Sequence, residues 1–352
     1  MPFSREMGKF ELLSLSEQWV VCIADRMRSL LLSLLVVSVG FANSFEPTQQ
    51  CEFVDSSAKL ELLWSDAKFT EGPAVAPDGS IYFTAIRTAR IMRFDPKSGK
   101  VSLYRKNSGK ANGLMFDRQG RLLACEGSDG GNMRVSITEK NGKVRTLVDK
   151  FEGKRLNSPN DLAITPDGRI YFTDPRYVGN EPRELDFEGV YLIEKNGKVK
   201  VATKEISRPN GILISKDGKT AFVADNHSID CQNRHLASFP IKPDGTFGKK
   251  TILFDYGEDR GVDGMAMDVE GNLYATAGRG ESSGIYIFSP IGKQLAKITL
   301  PADPTNCQFG VGDEIDTLYI TAGIKGKEKG TMGAFGLYRI KVKKKGYHPA
   351  TR

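Results

Sequence analysis

One pattern of 14 to 17 residues recurs six times along this 352-residue chain and limits what it can fold into. Each copy opens on a polar residue, runs through a short apolar stretch and a turn, and ends in a strand rich in Tyr, Phe and Leu. The copies are EGPAVAPDGSIYFT from Glu71, NGLMFDRQGRLLAC from Asn112, NDLAITPDGRIYFT from Asn160, NGILISKDGKTAFVA from Asn210, DGMAMDVEGNLYATA from Asp263 and NCQFGVGDEIDTLYITA from Asn306. Their starts lie 41, 48, 50, 53 and 43 residues apart.

Each copy reads as a β-hairpin. Asp78-Gly79, Asp167-Gly168 and Asp217-Gly218 are turn pairs between alternating runs. Gln119-Gly120 and Glu270-Gly271 are weaker versions at the same offset, and Asp313-Glu314 breaks the pattern in the last copy. Further strand signals lie between copies, such as Ile91 to Phe94 and Val190 to Ile193. About four strands per 40–50 residues is the period of a propeller blade. The expectation is therefore an all-β, six-bladed propeller of four-stranded blades around a central channel, over residues 58–341. The strand near Leu60–Leu63 and the C-terminal strand Leu337–Ile340 are expected to share one blade and close the ring. The 37 glycines suit a turn-rich chain, and the absence of long amphipathic helices counts against Rossmann and TIM alternatives.

Ser29 to Phe41 form an apolar core after Arg26, Met27 and Arg28, with small residues following. That is the make-up of a secretory signal and too short for a comfortable membrane span. Residues 1–42 are read as a signal region with its true start at Met27, and 43–57 as a linker. The expected product is exported, periplasmic or secreted, with no membrane span in the mature chain. The competing reading is a cytosolic protein with a buried apolar N-terminal helix. Removal of 1–42 takes four bases and four acids, so the net charge stays at +7. The densest basic run, Lys341 and Lys343 to Lys345, falls in a tail over 342–352 read as a solvated end. No aromatic platform or groove-reading helix accompanies it, so no nucleic-acid partner is expected. Export leaves Cys51, Cys125, Cys231 and Cys307, whose pairing the sequence does not choose.

In a propeller the innermost strand of each blade lines the channel, so equivalent positions form a ring. The first position of each copy is Glu71, Asn112, Asn160, Asn210, Asp263 or Asn306, and all six carry a side-chain oxygen. Such donors suit a hard divalent cation, Ca²⁺ before Zn²⁺, Mn²⁺ or Mg²⁺. Asn-Gly and Asp-Gly are also common turn pairs, so a repeat fold could carry them for structure alone. Glu71-Gly72-Pro73 is a poor turn at that offset, and a buried ring of oxygens is costly without a cation or water.

The chain resembles the SMP-30/gluconolactonase family of six-bladed propellers over about residues 59–340. The marks are Glu71-Gly72-Pro73, Arg155 to Leu162 leading into Tyr171-Phe172-Thr173-Asp174-Pro175, Arg208-Pro209-Asn210-Gly211, and Val262-Asp263-Gly264-Met265. The resemblance implies one divalent cation held by Glu71, Asn160, Asn210 and Asp263, and hydrolysis of a sugar lactone. In that chemistry the cation polarises the lactone carbonyl and Asp263 acts as general base, or attacks as a nucleophile. Asn112 and Asn306 are expected near substrate hydroxyls. Animal members carry an Arg two residues before the second ligand Asn, where Ser158 stands here, and Arg155 is the nearby candidate to reach substrate.

Gly280-Glu281-Ser282-Ser283-Gly284 matches a nucleophile elbow, but a strand pattern follows it where a helix is needed, so it reads as a hairpin loop. His227 and His235 bracket an insertion, and Asn226-His227-Ser228 fits a glycosylation sequon. The rival function classes are a non-catalytic propeller that binds sugar or protein with structural calcium, and another ester or organophosphate hydrolase. A closed propeller needs no partner to complete its core, so a monomer is expected.

Overall fold

Alternating apolar residues between Asx-Gly turns do form the expected hairpins. The computed structural model describes residues 49–227, 233–326 and 332–349. The glycines of the turn pairs, such as Gly79, Gly168 and Gly218, take the left-handed φ those turns require. The last copy, which lacks the pair, turns instead through a single 3₁₀ turn at Gly312–Glu314.

Six four-stranded antiparallel sheets result. The first blade is Thr70–Val75, Ile81–Ala85, Arg90–Asp95 and Lys100–Lys106. Blades two to five begin with Ala111–Phe116, Leu162–Ile164, Pro209–Ile214 and Met265–Met267. The sixth joins Pro304–Phe309, Thr317–Lys325 and Met332–Lys341 to the early strand Glu61–Ala67. Glu61 pairs with Arg339 and Leu62 with Tyr338, which closes the ring as expected. Each innermost strand is largely buried, and an outermost strand such as Lys100–Lys106 is mostly exposed.

The core is not central. It consists of six apolar clusters, one in each cleft between neighbouring blades. Leu114 and Phe116 meet Ala74 and Ile91 between blades one and two, and Tyr319 and Leu337 meet Phe83 and Phe94 where blade six meets blade one. Apolar faces are thus used up between blades, and the channel is left to polar side chains.

The two segments flanking the ring are folded onto it. Gln50–Phe53, within the expected linker, is a short helix whose Phe53 is buried against Tyr274. Gln50 hydrogen-bonds both backbone groups of Lys297 on the outer strand of blade five. The tail is not a solvated end either. Lys343 and Lys345 face outward, but Lys344 pairs with Glu270 over the Phe53 ring, and Val342, Gly346, Tyr347 and His348 are buried. Gly346 N donates to Ile315 O, Tyr347 N to Met267 O, and Arg118 of blade two reaches Pro349 O, so the tail straps blades six, five and two. Burial pushes the His348 imidazole down to about 4. Tyr347→Ala should therefore cost about 3 kcal/mol, read from the denaturant midpoint. An unchanged midpoint would show the strap to be passive.

The expected signal region, residues 1–42, lies outside the described residues. Among the described residues no helix is long and apolar enough to cross a membrane. Cys51, Cys125 and Cys307 are free, the last two buried; Cys231 and Ser228 of the sequon lie outside the described residues.

Candidate functional site

The ring positions gather because of how each innermost strand begins. β-Bulges fall between Glu71 and Ala74, Ala111 and Leu114, Pro209 and Ile212, and Pro304 and Asn306. A bulge re-aims a side chain out of the strand's alternation. In blades three and five the residue stands just before the strand. The glycine after it serves close approach more than turning. Gly211 N donates to the carbonyl of Asp263 on the next blade, and a Cβ at Gly211 would lie 2.3 Å from that oxygen. Blade two makes the same step, from Gly113 N to Asn160 O. Blades two and four thereby hold the next blade's ring residue at fixed height.

Glu71, Asn112, Asn160, Asn210 and Asp263 line one cavity of about 580 Å³. Glu71, Asn160, Asn210 and Asp263 are at most 9% exposed. Gly72 N (2.8 Å) and Asn306 Nδ2 (3.1 Å) both donate to Glu71 Oε2. Asn210 hydrogen-bonds the Asp263 carboxylate, and Glu71 lies within hydrogen-bonding reach of it. Burial first, then the Asp263 charge, pushes the Glu71 carboxyl well above the usual carboxylate range. Burial also raises Asp263, against the pull of Arg260. Two buried carboxylates this close, each made costly to ionise, with amide oxygens beside them, form a donor set that fits a hard divalent cation.

Two expected site residues sit elsewhere. Asn306 does not line the cavity; it lies behind Glu71, with its Oδ1 accepting from Cys307 N. Its side chain fills the space left by Gly264, where a Cβ would meet it at 1.9 Å. Arg155 is taken out of the substrate set. The short hairpin of Lys150–Phe151 with Lys154–Arg155 turns its guanidinium to Pro182 O (2.6 Å) and towards Glu184. Ser158 does line the cavity, with its Oγ accepting from Ser128 N. Among the described residues no histidine lines it, and His235 faces Asp255 on the outer strand of its blade. The Gly280–Ser282 segment is a 3₁₀ turn leading into a strand, as expected for a loop.

Sequence reasoning missed four residues. Arg260 donates to Asp263 Oδ2 and, at 2.6 Å, to Pro304 O. Tyr177 overhangs the cavity, bonded to Asn226 O and to Asn210. Asp161 stands where four other copies have glycine, and burial pushes it up to about 7. That break in the repeat was a signal available in the sequence. Asp174 accepts from Asn157 N (2.8 Å) and Ser158 N (2.7 Å), fixing the loop that carries Asn160; burial pushes it up to about 7 as well. The remaining wall is mixed. Phe69, Ile86, Val178 and Phe335 are apolar, and Arg87, Lys110, Arg234 and Arg279 bring positive charge.

Comparison with known proteins agrees with this architecture. A gluconolactonase from Zymomonas mobilis is 30% identical over 313 residues, covering 81% of this chain and 84% of that protein. A 6-deoxy-6-sulfogluconolactonase from Pseudomonas putida is 25% identical over 248 residues, covering 69% of this chain and 78% of that protein. Among solved structures, a gluconolactonase from Xanthomonas campestris superposes with a TM-score of 0.69 at 25% identity, covering 82% of this chain and 90% of that one. The model of the SMP-30/gluconolactonase/LRE-like region matches residues 69–324, and the chain belongs to that family.

Proposed function

We propose that this protein hydrolyses a sugar lactone with the help of one divalent cation, Ca²⁺ by preference. The observation that carries the reading is the convergence of Glu71, Asn160, Asn210 and Asp263, from four blades, on one cavity of about 580 Å³. The named activities of the relatives support the substrate class. These four residues would hold the cation, and when bound it would polarise the lactone carbonyl and offset charge on its oxygen.

The chain's own groups account for the rest. Asp263 takes a proton from the attacking water as the water oxygen bonds to the carbonyl carbon. Burial raises its affinity for a proton, which strengthens it as a base. The ring C–O bond then breaks, and the leaving oxygen takes a proton to give a hydroxy acid. Asn112 and Ser158 offer hydrogen bonds to hydroxyls, and Phe69 with Phe335 offers an apolar face for the C–H side of a sugar ring. Export of the chain, read from residues 1–42, belongs to the same proposal and rests on sequence.

The test is a pH-indicator assay on glucono-1,5-lactone beside other aldonolactones, with spontaneous hydrolysis subtracted. Saturable proton release is expected with at least one of them. A folded protein that releases none from any sugar lactone would overturn the substrate class, and turnover of a phosphotriester alone would reassign the site.

A further inference from the structure

We propose that Arg260 is the positioning residue for Asp263 and that it sets how tightly the site holds a divalent cation, an inference that rests on the lactonase reading above. Among the described residues five cationic side chains line the cavity, and four are engaged away from the proposed ligands: Arg87 and Lys110 face Asp129, Arg234 the carbonyls of Glu258 and Asp259, and Arg279 faces Asp303. Arg87 and Arg279 are 54% and 76% exposed at the side chain, whereas Arg260 is 14% exposed. Its guanidinium is tied at two points on two blades, to Asp263 Oδ2 in blade five and to Pro304 O at the entry to blade six. Its backbone N–H is fixed as well, donating to Asp259 Oδ1 at 2.7 Å.

Two consequences follow from this geometry. Oδ2 gives one of its two lone pairs to Arg260, which disfavours two-oxygen chelation of a cation by Asp263 and leaves Oδ1 the better placed oxygen. A fixed guanidinium this close also opposes a second positive charge, in a buried setting where screening is weak. Arg260 thus weakens cation binding while orienting the group that must receive a proton. A lysine keeps the charge but not the two-point fork.

The experiment is calorimetric titration of wild type, Arg260→Met, Arg260→Gln and Arg260→Lys with CaCl₂, together with kcat and KM for a hydrolysed lactone. Both neutral variants are expected to bind Ca²⁺ about tenfold tighter or more, while kcat falls by about a hundredfold. Arg260→Lys should keep a Ca²⁺ affinity near wild type and recover part of kcat. A structural role alone would lower the melting temperature without tightening Ca²⁺. Arg260→Gln covers the case in which the methionine variant does not fold. Unchanged or weaker Ca²⁺ binding in a folded neutral variant overturns this inference and leaves the lactonase reading standing, as does an unchanged kcat. No Ca²⁺ binding in wild type or any variant overturns this inference, while the lactonase reading stands or falls on the proton-release assay; binding that emerges only in the neutral variants supports this inference.

Discussion

Asp263→Asn is expected to lower kcat for lactone hydrolysis by about a thousandfold, without unfolding the protein. The substitution keeps size and one acceptor oxygen for Arg260 but removes the base and one buried charge beside Glu71. Loss of that charge relieves repulsion with Glu71 but weakens the buried ion pair with Arg260, two effects of opposite sign, so the calcium-free melting temperature should stay close to wild type. The pairing of lost activity with retained stability separates a catalytic role from a structural one. Arg155→Ala is the companion control. Arg155 is engaged with Pro182 and Glu184 outside the cavity, so its kcat/KM should stay within about twofold of wild type. A tenfold loss would return it to the substrate set.

The second large effect is the pH dependence of cation stabilisation. Glu71 and Asp263 are raised by burial, and Asp161 and Asp174 are pushed up to about 7. An acid whose folded pKa lies above its unfolded value favours the fold when protonated. Without a cation, stability from these groups is present below about pH 4 and lost as pH rises towards and past 7. A cation needs the ionised carboxylates, so its stabilising increment should grow across that window. At 100 times Kd it should reach about 2.7 kcal/mol above pH 7. His348 runs the other way: its folded pKa, about 4, lies below the unfolded one, so its contribution is lost on acidification. Subtracting the calcium-free melting curve from the calcium-loaded one at each pH removes that term. A calcium increment that is flat from pH 4 to 8 would contradict the assignment of Glu71 and Asp263 to the cation.

The ring of blades was legible because it is built from local signals. Asp78-Gly79, Asp167-Gly168 and Asp217-Gly218 specify their turns whatever surrounds them, and recurrence every 41 to 53 residues repeats the result. Glu71, Asn112, Asn160, Asn210 and Asp263 were legible as positions around one cavity for the same reason: a repeat fold turns equal sequence offsets into equal heights around one axis. The choice of Glu71, Asn160, Asn210 and Asp263 as the cation set came from the family resemblance. Residues whose role depends on the neighbouring blade were not legible. Arg260 matters because it reaches Pro304, 44 residues on. Asn306 shares the ring's offset, yet it lies behind Glu71 because Gly264 leaves room there. Arg155 has the right charge near Asn160, but a two-residue strand pairing with Lys150–Phe151 turns it outward. The tail misled because Lys343 and Lys345 do face solvent while Tyr347 and His348 between blades do not, and composition averages the two.

The central claim is that a divalent cation and lactone hydrolysis share one site. Its most direct test is a single calorimetric and kinetic experiment on chelator-treated protein, adding Ca²⁺, Zn²⁺, Mn²⁺ or Mg²⁺ in turn. The expected result is one cation bound per chain, with lactone turnover rising in proportion to occupancy and both lost in Glu71→Gln. Full turnover in the chelated protein, unaltered by any added cation, would contradict the claim.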